Sequence, residues 1–152
     1  MIEALKYRDT DWHRTKGKLV KVDTSELILA GHSFGAATMV ATANKLKERE
    51  QPRALALMDP WLFALHEDIS ANKVKMKCPV QAITTEGFPK EIPKGPYGYW
   101  TALCHILKNG KNPKQSENIM INKIGHKIGT DFSIVVGWEL SAMEEIPPKA
   151  HF

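Results

Sequence analysis

The stretch "LILAGHSFGAATMV", residues 27–40, limits the fold more than any other part of this chain. A short apolar run ends in Gly-His-Ser-Phe-Gly, and small helix-compatible residues follow at once. Gly-x-Ser-x-Gly carries weight where a buried strand turns abruptly into a helix, because that turn bares a serine on strained backbone at the rim of a sheet. Side chains two positions before and two after the serine would crowd the turn, and Gly31 and Gly35 stand there. Ala36 and Ala37 let the helix approach the sheet closely. The helix N-terminus then sets the Phe34 amide and a positive dipole beside any oxyanion formed at Ser33. Ser33 is therefore a candidate nucleophile, and the competing reading is an ordinary turn serine.

The rest of the pattern agrees with a strand–turn–helix start. Residues 26–31, 53–58, 79–85 and 117–124 read as short apolar strands. Residues 34–49, 99–108 and 131–143 read as helices, the first ending in Lys and Arg as a helix C-terminus prefers. Residues 10–24 are polar and read as a loop, 86–99 form a Gly- and Pro-rich loop, and 144–152 an extended tail. Strands separated by helices predict parallel βαβ units, hence an α/β fold of about four mainly parallel strands flanked by helices. With 152 residues, 43% of them apolar, the expectation is a single domain around one core.

A hydroxyl needs a base, and the base needs an orienting acid. In α/β-hydrolases these follow the nucleophile in the order acid, then histidine. Asp59 ends the strand-like "RALALMD", and His126 lies in the loop just after "IMINKI". Each has a plainer alternative: Asp59-Pro60 as a simple strand-ending turn, His126 as a surface histidine. Asp68, His66 and His105 are the substitutes. His66 follows no strand, and His105 lies within a helical run. His32, inside the motif, is expected to pack under the turn.

Composition narrows the partners. Net charge is +4, but 21 basic and 17 acidic residues are interspersed, so nucleic acid is not an expected partner. No apolar run approaches the ~20 residues of a membrane-spanning helix, and "MIEALKYRDTDW" lacks the apolar core of a secretory signal. The two cysteines, Cys78 and Cys104, form neither a metal-ligand pattern nor a disulfide framework. The expectation is a protein of a reducing, cytoplasmic compartment, with Cys78 a buried thiol.

Together, "GHSFGAAT" (31–38), "ALMDPWLFAL" (56–65) and "IGHKIGTDFS" (124–133) resemble the platelet-activating-factor acetylhydrolases of the plasma and type II intracellular group. The resemblance runs from about Asp23 to Trp138 and departs at Ala36, where the family has a second glycine. It implies a serine esterase or lipase releasing short or oxidised acyl groups from phospholipids without metal or organic cofactor. Ser33, Asp59 and His126 fall on the triad positions and Phe34 on the oxyanion position. It also implies that the last helix meets lipid surfaces, with Trp138 offered to the interface; the plainer view is that its apolar residues are core. Dienelactone hydrolases and cutinase-like esterases remain alternatives.

One expectation follows from the chain's start. The nucleophile strand is roughly the fifth of eight in an α/β-hydrolase sheet, yet 26 residues precede "LILAGHS". The chain then reads as the C-terminal half of that fold, without the His-Gly-Gly type segment that supplies a second oxyanion donor. Loss of one such donor costs roughly 10²–10³ in rate, and the nucleophile strand becomes an edge that invites pairing. Three accounts compete: a fragment of a longer product, a half sheet completed by a second chain, or a non-catalytic interaction subunit with a relic triad.

Overall fold

The computed structural model describes residues 14–15, 18–19, 26–91, 98–110 and 113–129. Four parallel strands form the main sheet in the order β3-β4-β5-β6: β3 (Ile28–His32), β4 (Ala54–Met58), β5 (Val80–Thr85) and β6 (Glu117–Ile121). They join helices α1 (Phe34–Lys45), α2 (His66–Ser70), α3 (Phe88–Glu91) and α4 (Tyr99–Lys108), with 3-10 turns between. This is the α/β architecture expected. The expected last helix, its Trp138, the tail and most of the N-terminal segment lie outside the described residues. Among the described residues, no helix is long and apolar enough to cross a membrane.

The polar stretch 10–24 is not wholly a loop. A two-residue antiparallel pair, β1 (Arg14–Thr15) with β2 (Lys18–Leu19), lies within it.

Parallel register places Leu29 beside Leu55, Leu55 beside Val80, Gly31 beside Leu57, and Leu57 beside Ala82. Apart from the glycine these side chains are buried, and they form one face of the sheet. Helix α1 lies on that face and buries Ala36, Ala37, Val40 and Ala43, a spacing near one helical turn. On the other face Ile28, Ile119 and Ile121 remain substantially exposed. Among the described residues no strand pairs with the outer side of β3.

Two elements stop earlier than expected, α1 before residue 49 and β6 before residue 124, each for a long-range reason. Helix α1 ends at Lys45 because the terminal carbonyls are claimed from elsewhere. The Gln51 amide donates to Ala43 O and Leu46 O, and Lys77 Nζ to Leu46 O. Strand β6 ends at Ile121, and Lys123 turns at φ 61°. The Glu86 carboxylate accepts the Lys123 N–H at 2.8 Å and pairs with Lys90. These contacts, the Lys123 amide first, hold the Glu86 carboxyl below the usual glutamate range.

Beneath that end of the sheet, the Tyr99 hydroxyl donates to Thr84 Oγ1, which donates to Asn118 Oδ1, tying α4 to β5 and β6. Burial pushes the Tyr99 hydroxyl well above its ordinary value, so it stays a proton donor. Cys78 is buried, as expected, and its thiol is pushed up by burial.

Candidate active site

Strand β3 delivers Ser33 onto a sharp turn. Its φ of 55° and ψ of −123° put a non-glycine residue in sparsely populated space, at a cost of order 1–3 kcal/mol that the surroundings must hold. They do so through the main chain. Ser33 N–H donates to Met58 O at 2.9 Å, and Ser33 O accepts from Ala36, Ala37 and Trp61. The turn is thus fastened to the end of β4 as well as to α1. Phe34 opens α1, so its N–H belongs to the first turn, whose donors a helix cannot satisfy internally.

The two motif glycines are not equivalent. A Cβ on Gly31 would sit 2.6 Å from Gly35 O and 2.7 Å from Ala36 N, both rigid backbone. A Cβ on Gly35 would meet nothing within 4 Å, so the crowding expected at both positions exists at Gly31 alone. Gly31→Ala is expected to lower stability by about 3 kcal/mol, as overpacking does. Gly35→Ala is expected to be neutral or to stabilise by up to ~1 kcal/mol through helix propensity. Thermal or urea melts of the two variants measure the difference.

Asp59 ends β4 at φ 41° and is fully buried. Thr85 N–H donates to its Oδ1 at 2.7 Å and the Thr85 hydroxyl to Oδ2 at 2.7 Å. His126 Nδ1–H donates to Oδ2 at 3.1 Å, and His126 Nε2 lies 2.9 Å from Ser33 Oγ. With Nδ1 donating to a carboxylate, Nε2 is the acceptor of the Ser33 proton. That tautomer is the one a general base requires. The structure therefore brings together all three residues singled out in the sequence, from the C-terminal ends of β3, β4 and the segment after β6.

The substitutes are engaged elsewhere. His105 Nε2 donates to Val74 O at 2.9 Å, and its Nδ1 accepts from Asn109. His66 Nδ1 donates to Phe63 O, and Asp68 lies 3.9 Å from Lys73 Nζ. His32, half-buried, stacks on the His126 ring and hydrogen-bonds to its main-chain carbonyl.

Thr85 and Phe88 are functional-site neighbours that the sequence did not disclose. Thr85 looks like any β-branched strand residue, and nothing local marks its hydroxyl as the carboxylate's partner. Phe88 falls in the Gly- and Pro-rich stretch read as a loop, which contains the single turn α3. Its ring stacks on the His126 imidazole at 4.0 Å.

His32, Asp59 and His126 each offer a ligand atom within 4.8 Å of the others, a spacing a metal ion could bridge. Asp59 Oδ2, His32 Nε2 and both nitrogens of His126 are already hydrogen-bonded. A metal there would have to displace the protons that define the tautomer. The donor set fits proton transfer from a serine better than ion binding.

The arrangement can activate a hydroxyl for attack on a carbonyl and return the proton to a leaving alkoxide. Comparison with known proteins gives it a lineage. The platelet-activating factor acetylhydrolase of Gallus gallus is 28% identical over 130 residues, covering 85% of this chain and 26% of that protein. That of Cavia porcellus is 36% identical over 78 residues, covering 51% of this chain and 16% of that protein. The chain thus spans about a quarter or less of the curated relatives it matches. No solved structure matches it. The family model described as platelet-activating factor acetylhydrolase, isoform II, runs over residues 3–146. With so nearly the whole of its 152 residues matched, the chain belongs to the platelet-activating factor acetylhydrolase, isoform II, family.

Proposed function

We propose that this chain is a serine-dependent carboxylic-ester hydrolase, a phospholipase A2 of the lipid-degrading kind, that releases short or oxidised acyl groups from phospholipids. The observation that carries this is the unbroken hydrogen-bonded line from Ser33 Oγ through His126 to buried Asp59. Family membership supports the ester-hydrolase class.

In this scheme Ser33 Oγ attacks the acyl carbonyl while its proton passes to His126 Nε2. Asp59 holds the imidazole in place and offsets its positive charge. The Phe34 N–H receives the oxyanion of the tetrahedral intermediate. The C–O bond to the glycerol oxygen breaks, and that oxygen takes the proton from His126. The acyl group is left on Ser33. Water then gives a proton to His126 and adds hydroxide to the acyl carbon; the acyl C–Oγ bond breaks, Ser33 Oγ takes the proton back from His126, and the acid leaves. No metal or cofactor enters the scheme. Phe34, Trp61 and Phe63 are exposed around the turn and its neighbour, and they are suited to contact an apolar substrate.

A second reading takes the chain as an interaction subunit, because Ile28 is 58% exposed on edge strand β3. Turnover separates the two. The esterase reading expects hydrolysis of an acetyl glycerophosphocholine, faster than that of its palmitoyl counterpart. A folded chain that hydrolyses neither lipid nor p-nitrophenyl acetate would overturn it and favour the subunit.

A further inference from the structure

Two aromatic rings stack on the imidazole of His126. The Phe88 ring lies 4.0 Å away with planes 15° apart, and the His32 ring 4.4 Å away with planes 29° apart. Two rings that near and that parallel to one five-membered ring cannot share a face without overlapping, so they occupy opposite faces. His32 does more than stack. Its Nε2–H donates to the main-chain carbonyl of His126 at 3.1 Å, so one side chain restrains both backbone and ring. Phe88 is itself fixed, 3% exposed and edge-on to Tyr99 at 5.6 Å.

We propose that His32 and Phe88 are positioning residues that clamp the imidazole of His126 between Asp59 and Ser33. The proposal rests on the esterase reading for its consequence in rate, but not for its geometry. The need is physical. His126 sits on a 3-10 turn, Gly125 precedes it, and its side chain is 17% exposed. A single hydrogen bond at Nδ1 leaves the ring free to rock about that bond. Rocking swings Nε2 away from Ser33 Oγ, and a small misplacement of a reacting group costs up to roughly 10²-fold in rate. Stacking on both faces removes that motion and leaves the two nitrogens free along the ring edge. When the imidazole accepts the Ser33 proton, the π face of Phe88 also lies against the new positive charge, a favourable arrangement.

The clamp explains two sequence features left over from the triad. The histidine before the nucleophile serves the base, since its Nε2–H is donated to the main-chain carbonyl of His126. The stretch 86–88 brings the second ring, while Glu86 at its start takes the Lys123 N–H and so ties down the loop leading to His126.

The test uses the full chain and four single variants: Phe88→Leu, Phe88→Tyr, His32→Leu and His32→Phe. The first readout is the rate of fluorophosphonate labelling. The second is the far-downfield proton resonance of His126 Nδ1–H, also recorded in Ser33→Ala so that it stands apart from reactivity. Both Leu variants are expected to label roughly tenfold more slowly and to lose or broaden the resonance while keeping a native circular dichroism spectrum. Phe88→Tyr is expected to restore both, and His32→Phe, which keeps the stack but not the hydrogen bond, to restore them in part. Native-like Leu variants with wild-type labelling and an unchanged resonance would overturn the clamp. If Phe88→Leu does not fold, half-buried His32 decides by the same two readouts. If wild-type chain never labels, the nucleophile reading fails, and the resonance still decides the clamp.

Discussion

Ser33→Ala is expected to abolish fluorophosphonate labelling and to lower ester turnover by roughly 10⁶, as when a triad nucleophile is removed. The substitution deletes the atom 2.9 Å from His126 Nε2 and little else. The turn itself is held by main-chain bonds from Ser33 N to Met58 O and from Ala36, Ala37 and Trp61 to Ser33 O. Alanine keeps all of them, so the melting temperature is expected to stay near that of wild type. Ser33→Gly separates the two roles further. It loses the nucleophile equally but relieves the φ of 55°, and is expected to melt at or above the alanine variant. Persistent labelling in Ser33→Ala would place the reactive nucleophile elsewhere in the chain.

Asp59→Asn is the second large effect, and it works through a proton rather than a missing atom. Three donors converge on this buried carboxylate: the Thr85 N–H, the Thr85 hydroxyl and His126 Nδ1–H. A carboxylate accepts all three, whereas an amide has one accepting oxygen. With that oxygen facing the Thr85 N–H at the Oδ1 position, the NH₂ falls at the Oδ2 position and faces His126 Nδ1. The imidazole must then accept at Nδ1 and carry its proton on Nε2, where it can no longer take one from Ser33. Turnover and labelling are both expected to fall by about 10⁴. The Thr85 hydroxyl can rotate to accept from the amide, so the variant should fold. Any donor left unpaired adds about 1–3 kcal/mol of instability. Paired turnover assays and urea melts check both parts. Near wild-type turnover in a folded Asp59→Asn protein would remove Asp59 from the base's mechanism.

The sheet was legible because its four strands are short apolar runs bounded by turn residues, and such runs are local. The gathering of Ser33, Asp59 and His126 was legible through chain order, each standing just past a strand. What escaped depends on partners distant in sequence. Thr85 meets Asp59 across 26 positions, and a threonine in a strand looks the same whether its hydroxyl is used or not. Phe88 sits among glycine and proline, where no period marks a buried ring. The end of α1 is set partly by Lys77, 31 positions from the carbonyl it caps. Gly35 shows the opposite error, since a motif position implied crowding where the structure has open space.

The placement of these three residues also has a consequence in time. The bond between Ser33 and His126 joins positions 93 apart, and that between His126 and Asp59 positions 67 apart. Contacts of such separation form late, because parallel pairing pays its loop-closure entropy before any contact repays it. Strands β3, β4, β5 and β6 must all stand in register before Nε2 meets Oγ. On the esterase reading, Ser33 reactivity therefore reports the assembled sheet, because the nucleophile follows β3 and the base that meets its Oγ follows β6.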